Sequence, residues 1–292
     1  MTISGIHHIT AIASDPQKNV DFYTQTVGLR LVKLTVNFDD PGTYHFYFGD
    51  ETGKPGSILT FFPWPNATRG RRGTGQATAI AFDVPSLEGW AACLPNSRID
   101  QRFGTDALVF HDPDGLELEL IPTGGTGNRI SGFHGVTLSE AGFETTARLL
   151  TETFGYKLAA SEANRFRYIS TERGAVELLC QPDARRGAMG AGTVHHVAFR
   201  TESDESQRAW RKQLAGAGLN VTPVLDRQYF HSIYFREPGG VLFEIATDPP
   251  GFLIDETIDK LGTHLKLPPW LEPAREEIEG ILPKIQLPEY AR

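Results

Sequence analysis

The sequence has only two cysteines in 292 residues and no apolar run long enough to span a bilayer. Two cysteines are too few for a disulfide framework. Cys93 and Cys180 lie in apolar segments without metal-ligand spacing, so we expect reduced, buried thiols in a cytoplasmic protein. The first residues lead directly into a β-like segment without the basic and apolar regions of a signal peptide, which also favours a cytoplasmic location.

Positive charge is scarce as well, with 28 Lys and Arg against 36 Asp and Glu and a net charge of −8. The two signs are interspersed, so the chain has no basic stripe for nucleic acid and no polybasic patch for anionic lipid. We therefore expect neither a nucleic-acid partner nor a membrane partner. The hydrophobic fraction of 40% is that of an ordinary globular protein and permits a substantial core.

Internal repetition is the main positive feature of the sequence. The segment "YTQTVGLRL" (23–31) reappears as "LTETFGYKL" (150–158), and both follow apolar residues at helical spacing. The segment "FHDPDGLELELIPT" (110–123) reappears as "FREPGGVLFEIATD" (235–248), each with the pattern of a strand, a Pro-Gly turn and a second strand. Duplication of a pair of smaller units explains both repeats.

These repeats divide the chain into four β-α-β-β-β units, which predicts an α+β fold. The Arg/Gly-rich segments "NATRGRRGTG" and "PDARRGAMGAG" are interpreted as flexible linkers. In the C-terminal tail, the spacing of Ile278, Leu282 and Ile285 predicts packing against an apolar surface. The predicted boundaries are 4–64, 73–124, 131–183 and 193–250 for units 1 to 4 and 251–292 for the tail.

Each unit has one possible ligand position in its predicted first strand and one in its predicted last strand, and the residue at each position varies among the four units. The first strands contain "GIHHIT", "QATAIAF", "GFHGVTL" and "VHHVAF", in which the second histidine is kept only in units 1 and 4. Pairing unit 1 with unit 4 is the combination that unites two histidines with a single carboxylate. In unit order, the residues are His8, Ala79, Gly135 and His196 at the first position, and Thr60, Glu119, Glu177 and Glu244 at the second.

The sequence therefore predicts that units 1 and 4 pair around a metal held by His8, His196 and Glu244, and that units 2 and 3 pair as a metal-free half. Two histidines and one carboxylate leave adjacent coordination positions open and suit non-haem Fe(II) that activates O₂, with Mn²⁺ as the alternative metal. Glu119 and Glu177 are interpreted as structural or solvent-facing residues.

The first histidine of each pair, His7 or His195, points away from the metal if its strand is regular. Support of a metal ligand, contact with a substrate and an ordinary place in a strand all remain open for these two residues. From the residues alone, Tyr234 is equally a candidate core aromatic and Arg227 a candidate surface ion-pair partner. His231, in the same stretch, is interpreted as a structural or supporting residue.

With these motifs the chain resembles the vicinal oxygen chelate superfamily, which is built from paired βαβββ modules. Within it, the chain is most similar to the hydroquinone ring-cleaving dioxygenases of the 2,6-dichlorohydroquinone 1,2-dioxygenase type. The resemblance extends through about Phe252. It is carried most specifically by "HHIT", "VHHVAF" and "DRQYFHSIYFREPGGVLFEIATDPPGF".

The resemblance implies a role for individual side chains. A guanidinium (Arg227) and a phenol (Tyr234) can donate hydrogen bonds to oxygens on which negative charge develops. An imidazole (His195), whose ordinary pKa lies near physiological pH, can accept or return a phenolic proton. The implied set is His8, His196 and Glu244 as metal ligands, Tyr234, His195 and Arg227 as catalytic residues, and His7 and Thr10 as substrate-binding residues.

The function that follows from the resemblance is an Fe(II)-dependent ring-cleaving dioxygenase that inserts both atoms of O₂ into a hydroquinone-type ring. Its partners would be a small aromatic substrate and O₂, with homo-oligomerisation left open. One alternative is catechol cleavage or a glyoxalase-like isomerase or transferase reaction with Mn²⁺, Ni²⁺ or Zn²⁺, although Thr60 offers no fourth protein ligand. Another is a non-enzymatic small-molecule binding protein, which would not need the retained ligands.

Overall fold

The strands of the protein follow the predicted order of four repeated units. The structure is a computed structural model that describes residues 1–94, 96–171 and 174–289. The strands of units 1 and 2 are β1 (Ile6–Ala13), β2 (Arg30–Asn37), β3 (Asp40–Gly49), β4 (Ile58–Pro63), β5 (Gln76–Val84), β6 (Arg98–Arg102), β7 (Thr105–His111) and β8 (Glu117–Pro122). Those of units 3 and 4 are β9 (Gly132–Glu140), β10 (Lys157–Glu162), β11 (Arg165–Ile169), β12 (Ala175–Cys180), β13 (Val194–Thr201), β14 (Leu225–Asp226), β15 (Phe230–Arg236) and β16 (Leu242–Pro250).

Helices follow the first strand of each unit. In units 1 and 3 a short α-helix continues into a π-helical turn, and Gly28 and Gly155 then adopt positive φ angles where the chain leaves the helix. The helices are α1 (Pro16–Asp21), α2 (Trp90–Cys93), α3 (Glu144–Arg148), α4 (Asp204–Gly216) and, in the tail, α5 (Arg275–Ile281). The π turns are Phe22–Thr26 and Leu149–Thr153, and 3₁₀ turns cover Phe252–Ile254 and Glu272–Ala274.

The strands form two eight-stranded sheets. One has the order β14-β15-β16-β13-β1-β4-β3-β2, and the other the order β10-β11-β12-β9-β5-β8-β7-β6. Antiparallel pairing of β1 with β13 joins units 1 and 4, and antiparallel pairing of β5 with β9 joins units 2 and 3. The predicted pairing of units is therefore confirmed.

The register within each unit shows that the two compared positions are equivalent in space. The last strand of every unit lies parallel to the first. The residue compared in the last strand (a threonine in unit 1, a glutamate in the others) is paired with the residue two places after the one compared in the first strand (His8 and its equivalents). The four pairs are Thr10 with Thr60, Ala81 with Glu119, Thr137 with Glu177, and Ala198 with Glu244.

The two Arg/Gly-rich connectors are not the flexible linkers expected from their composition. They lie side by side, and isolated β-bridges join Arg69 to Ala191 and Arg71 to Ala188. The contact is too close for a side chain at Gly73, since a Cβ atom there would lie 2.2 Å from the carbonyl oxygen of Arg185. The glycines thus permit close packing of two backbones.

The C-terminal tail packs against unit 1. Lys33 on β2 is fully buried and pairs with Asp255 at 2.6 Å and with Glu256. Ile278 and Leu282 are buried in the main hydrophobic core and Ile285 packs against it, as their spacing predicts. No helix in the described ranges is long and apolar enough to cross a membrane.

The expectation of buried thiols is wrong. Cys93 is exposed and Cys180 is partly exposed, and both are free.

Candidate metal centre

Three buried side chains converge where units 1 and 4 meet. His8 lies on β1, His196 on β13 and Glu244 on β16, three adjacent strands in the middle of one sheet. The Nε2 atoms of the two histidines are 3.3 Å apart. Oε2 of Glu244 lies 3.3 Å from Nε2 of His8 and 2.9 Å from Nε2 of His196. Residues from the first and the fourth unit thus form one compact cluster.

The other polar atom of each of these side chains is already engaged. Nδ1 of His8 lies 2.9 Å from Nδ1 of His7, and Nδ1 of His196 lies 2.8 Å from Nδ1 of His195. The hydroxyl of Ser232 donates to Oε1 of Glu244. The remaining atoms face a common point, and Oε2 of Glu244 is buried without a hydrogen-bond donor of good geometry. A bound cation would compensate the charge of this buried oxygen.

Electrostatics favour an ionised Glu244 and a neutral His196, the states in which these two side chains bind a metal. Burial raises the pKa of the Glu244 carboxyl, but the neighbouring imidazoles of His8 and His196 outweigh burial, and the net pKa lies well below the usual value. Burial lowers the pKa of His196 although the nearby carboxylate of Glu244 opposes the shift. Metal ligands are neutral imidazoles and ionised carboxylates, so this donor set fits a divalent ion.

The cluster opens into a cavity of about 340 Å³ between units 1 and 4. His8 and His196 lie in its wall together with three further predicted site residues, His195, Arg227 and Tyr234. Most of the remaining wall is aromatic. The aromatic lining residues include His45, Tyr47, Phe62 and Phe230, and Asp39, on the turn between β2 and β3, also lines the cavity.

Arg227 and Tyr234 form a hydrogen-bonded pair on the unit 4 side of the cavity. Nε of Arg227 donates to the Tyr234 hydroxyl at 3.3 Å, and Nη2 of Arg227 donates to Oδ2 of Asp39 at 2.9 Å. Burial and the charge of Glu244 raise the pKa of Tyr234, so its phenol keeps its proton. The ring centroids of Tyr234 and His196 are 5.7 Å apart. The ion pair between Arg227 and Asp39 links unit 4 to unit 1, and both residues line the cavity.

His195 lies in the cavity wall with its ring centroid 5.6 Å from that of Phe62. Burial, followed by the charge of His196, lowers the pKa of His195 to about 3. The imidazole is therefore neutral at physiological pH and can accept a proton, although it is a weaker base than an ordinary histidine.

His7 and Thr10, which the resemblance places on the substrate, are not among the described residues that line the cavity. The ring centroid of His7 lies 5.1 Å from that of His8 and 5.2 Å from that of Phe230. Thr10 is fully buried, and its Oγ1 lies 2.8 Å from Oγ1 of Thr60. In this geometry His7 contacts His8, and Thr10 contacts Thr60.

The residues left as structural have clear partners. His231 pairs with Asp204 at the start of α4, with 2.6 Å between Nδ1 and Oδ1. Glu119 and Glu177 are buried rather than solvent-facing and form ion pairs with arginines of the second sheet.

Sequence reasoning missed two cavity residues on β3, His45 and Tyr47. Tyr47 is paired with Thr60, as Tyr234 is paired with Glu244. A signal was present, since "HFYFGD" (45–50) has the same pattern as "SIYFRE" (232–237) and occupies the same place in its unit. The match is too short to stand out until the register is known.

Comparison with known proteins agrees with this architecture. The Glyoxalase/Bleomycin resistance protein/Dioxygenase superfamily matches residues 5–120 and 133–245. MhqE of Bacillus subtilis (strain 168), named as a ring-cleaving dioxygenase, is 47% identical over 98% of this chain and 100% of its own length. The chlorohydroquinone/hydroquinone 1,2-dioxygenase of Sphingobium indicum is 35% identical over 94% of this chain and 95% of its own.

Solved structures show the same arrangement of strands. A crystal structure described as a dioxygenase of Bacillus subtilis has a TM-score of 0.93 and 45% identity, covering 99% of both chains. Glyoxalase I of Zea mays has a TM-score of 0.65 and 16% identity, covering 84% of this chain and 92% of its own, and so shares the fold. The chain belongs to the glyoxalase/bleomycin resistance protein/dioxygenase superfamily, also called the vicinal oxygen chelate superfamily.

Proposed function

We propose that this protein is an Fe(II)-dependent dioxygenase that cleaves the ring of a hydroquinone-type substrate. The observation that carries the proposal is the ligand set of His8, His196 and Glu244, with the neutral Thr60 at the equivalent position of unit 1, opening into an aromatic-walled cavity. Three protein ligands leave room for a substrate oxygen and O₂ at the same ion. The name of the Sphingobium relative supports the substrate class.

The cavity suits one aromatic ring. Its volume of about 340 Å³ is at the small end of ligand pockets, and Phe62 and Phe230 provide apolar wall. Arg227 and Tyr234 would donate hydrogen bonds to a substrate oxygen that becomes more negative as its proton leaves. The neutral imidazole of His195 would accept that proton at Nδ1, once this nitrogen leaves its contact with Nδ1 of His196, and would return it to the product.

The overall reaction balances without an external reductant. The C–C bond between a hydroxyl-bearing ring carbon and its neighbour breaks, the first carbon becomes a carboxyl and the second an aldehyde. The substrate supplies all four electrons that reduce O₂, and both oxygen atoms remain in the product. When bound, Fe(II) would bring the two reactants together and transfer electron density between them.

The test is anaerobic loading with Fe(II), followed by an oxygen electrode assay with hydroquinone, substituted hydroquinones and catechol. We expect one O₂ consumed per hydroquinone and a ring-opened product. Loading with Mn²⁺ and Zn²⁺ in parallel identifies the metal, since Zn²⁺ cannot support redox chemistry. Exclusive use of catechol would change the substrate class. No O₂ uptake with any substrate, from protein with iron demonstrably bound, would overturn the proposal and leave the isomerase and binding-protein alternatives.

A further inference from the structure

The pseudo-twofold relation between units 1 and 4 gives Tyr234 a counterpart on the opposite side of the metal centre. Tyr234 is paired with Glu244 across β15 and β16, and Tyr47 is paired with Thr60 across β3 and β4. Both tyrosines line the same cavity. Tyr47 therefore lies on the side where unit 1 offers a threonine in place of a carboxylate, which is the side where the coordination sphere lacks a protein ligand.

A hydrogen-bonded chain leads from Tyr47 towards the metal centre. The Tyr47 hydroxyl lies 2.9 Å from Nδ1 of His45, and Nε2 of His45 lies 2.8 Å from Oγ1 of Thr60. Oγ1 of Thr60 lies 2.8 Å from Oγ1 of Thr10, two residues after His8 on β1. Four polar side chains are thus linked, and two of them, His45 and Tyr47, line the cavity.

The alternation of β3 separates these side chains from their neighbours. His45 and Tyr47 face the cavity, whereas Tyr44 and Phe46 face the hydrophobic core. The hydroxyl of Tyr44 donates to the backbone carbonyl of Pro283 in the tail, away from the metal centre. One strand therefore carries two tyrosine hydroxyls with separate environments.

Burial keeps both members of the pair neutral. It is the largest cause of both shifts, lowering the pKa of His45 and raising the pKa of Tyr47, while the charges of Glu244 on His45 and of Arg227 on Tyr47 act in the opposite direction. A neutral imidazole donates through one nitrogen and accepts through the other, so the chain has two arrangements. In one, Tyr47 donates to His45. In the other, His45 donates to the Tyr47 oxygen and accepts from Thr60, which leaves the Tyr47 hydrogen free for an oxygen in the cavity.

We propose that Tyr47 is a further substrate-binding residue, which donates a hydrogen bond to a substrate oxygen on the Thr60 side of the metal centre, and that His45 is the positioning residue that orients it. The inference rests on the proposed function, because it concerns how that substrate is held. The oxygen that accepts from Tyr47 selects the second arrangement, in which His45 and Thr60 support the donor. Unit 4 places Arg227 beside its tyrosine in the same way.

The test measures substrate binding separately from turnover. Hydroquinone is titrated by calorimetry into Fe(II)-loaded protein under strictly anaerobic conditions, and KM and kcat are measured in air. Tyr47→Phe should weaken binding and raise KM by about tenfold, which is the effect of one lost hydrogen bond, with unchanged iron content. Tyr44→Phe is the matched control, because it removes a hydroxyl from the opposite face of the same strand, and it should leave binding and KM unchanged.

The role of His45 is tested by rescue. His45→Phe keeps an aromatic ring but removes both hydrogen bonds, and it should weaken binding as much as Tyr47→Phe. His45→Gln should recover part of the loss, since its amide can donate to the Tyr47 oxygen and accept from Thr60. The double variant His45→Phe/Tyr47→Phe should bind no more weakly than either single variant, because the two residues act as a unit.

The outcomes separate this inference from the proposed function. Wild-type protein that consumes O₂ with hydroquinone, together with a Tyr47→Phe variant of unchanged affinity and KM, would overturn the inference alone. A His45→Gln variant as weak as His45→Phe, or affinity that falls only in proportion to lost iron, would reduce His45 to a structural residue and overturn its positioning role. Wild-type protein that holds iron but neither binds hydroquinone nor consumes O₂ would overturn both.

Discussion

The two sheets of this protein have the same strand order but use equivalent positions for opposite purposes. In the sheet of units 1 and 4, the two compared positions hold two histidines and a carboxylate around an open point. In the sheet of units 2 and 3, Ala79 and Gly135 offer no ligand, and the two glutamates are neutralised by ion pairs. One architecture therefore produces a candidate metal centre in one half and a salt-bridged interior in the other.

Arginines occupy the space around Glu177 in the half formed by units 2 and 3. Arg167 is paired with Glu177 across β11 and β12, at the position that Tyr234 has opposite Glu244. Arg165 and Arg167 both donate to the Glu177 carboxylate, at 2.7 Å and 2.6 Å. A carboxylate that faces two guanidiniums has little need of a metal, so the same residue type has a structural role here.

The largest difference between the halves should appear when each glutamate is replaced by glutamine. Glu244→Gln removes a charged ligand and should weaken metal binding by more than about 100-fold. Glu177→Gln leaves two arginines without their partner and should lower the free energy of unfolding by about 3 kcal/mol, with metal content unchanged. Metal analysis and urea unfolding on both variants check the pair. Comparable metal loss in the two variants would contradict the division of roles.

A second prediction concerns the space at Gly135, the position equivalent to His8 and His196. A Cβ atom there would lie 2.6 Å from the carbonyl oxygen of Ala175. Gly135→Ala should therefore lower the free energy of unfolding by about 1–3 kcal/mol. Gly142→Ala, where the nearest atom is 3.5 Å away, is the control and should change it by less than about 0.5 kcal/mol. An unchanged free energy of unfolding for Gly135→Ala would mean that this half still has room for a metal-binding side chain at position 135.

A third prediction concerns the contact between the halves. Glu140 at the end of β9 is fully buried, both carboxylate oxygens lack a hydrogen-bond partner, and Gly239 of unit 4 lies against it. Burial and then the charge of Glu237 raise its pKa from 4.5 to about 8, while Thr146 opposes the shift. The folded state therefore binds this proton more tightly than the unfolded state, so stability falls as pH rises from about 4.5 to about 8.

Glu140→Gln should remove that slope and raise the free energy of unfolding at pH 8 by at least about 1 kcal/mol relative to wild type. Urea unfolding of both proteins across the pH range measures the effect. The exposed Glu144 is the control, and Glu144→Gln should leave the slope in place. Parallel pH profiles for wild type and Glu140→Gln would show that Glu140 is not the titrating group.

The smallest effect should come from Tyr234→Phe, which removes one hydrogen-bond donor from the half that carries the candidate metal centre. Since the ligands are untouched, iron content should stay at the wild-type level, while kcat/KM with hydroquinone should fall by about tenfold. Steady-state oxygen uptake checks this. An unchanged rate would make Tyr234 a core aromatic, and its likeness to Tyr47 would lose its functional meaning.

The candidate metal ligands could be predicted because they are ligand-type residues at equivalent positions of repeated units. The pairs around His8 and His196 stand out against Ala79 and Gly135, and one carboxylate completes the set. The burial of Glu119 and Glu177 was harder to predict, since their partners lie on other strands. The sequence also did not reveal that the two Arg/Gly-rich connectors pack against each other. Glycine permits both a flexible backbone and close packing of two backbones, and composition does not distinguish the two.

The sequence by itself determined the repeated units, their pairing and the candidate ligand set, because alternation and residue chemistry are local properties. Only the tertiary structure decided which neighbours surround those ligands. It placed His7 and Thr10 away from the cavity, tied Arg227 to Asp39 across its mouth, and brought in His45 and Tyr47 from β3. The reason is physical: the register between strands determines which distant side chains meet, and register depends on the packing of the whole sheet.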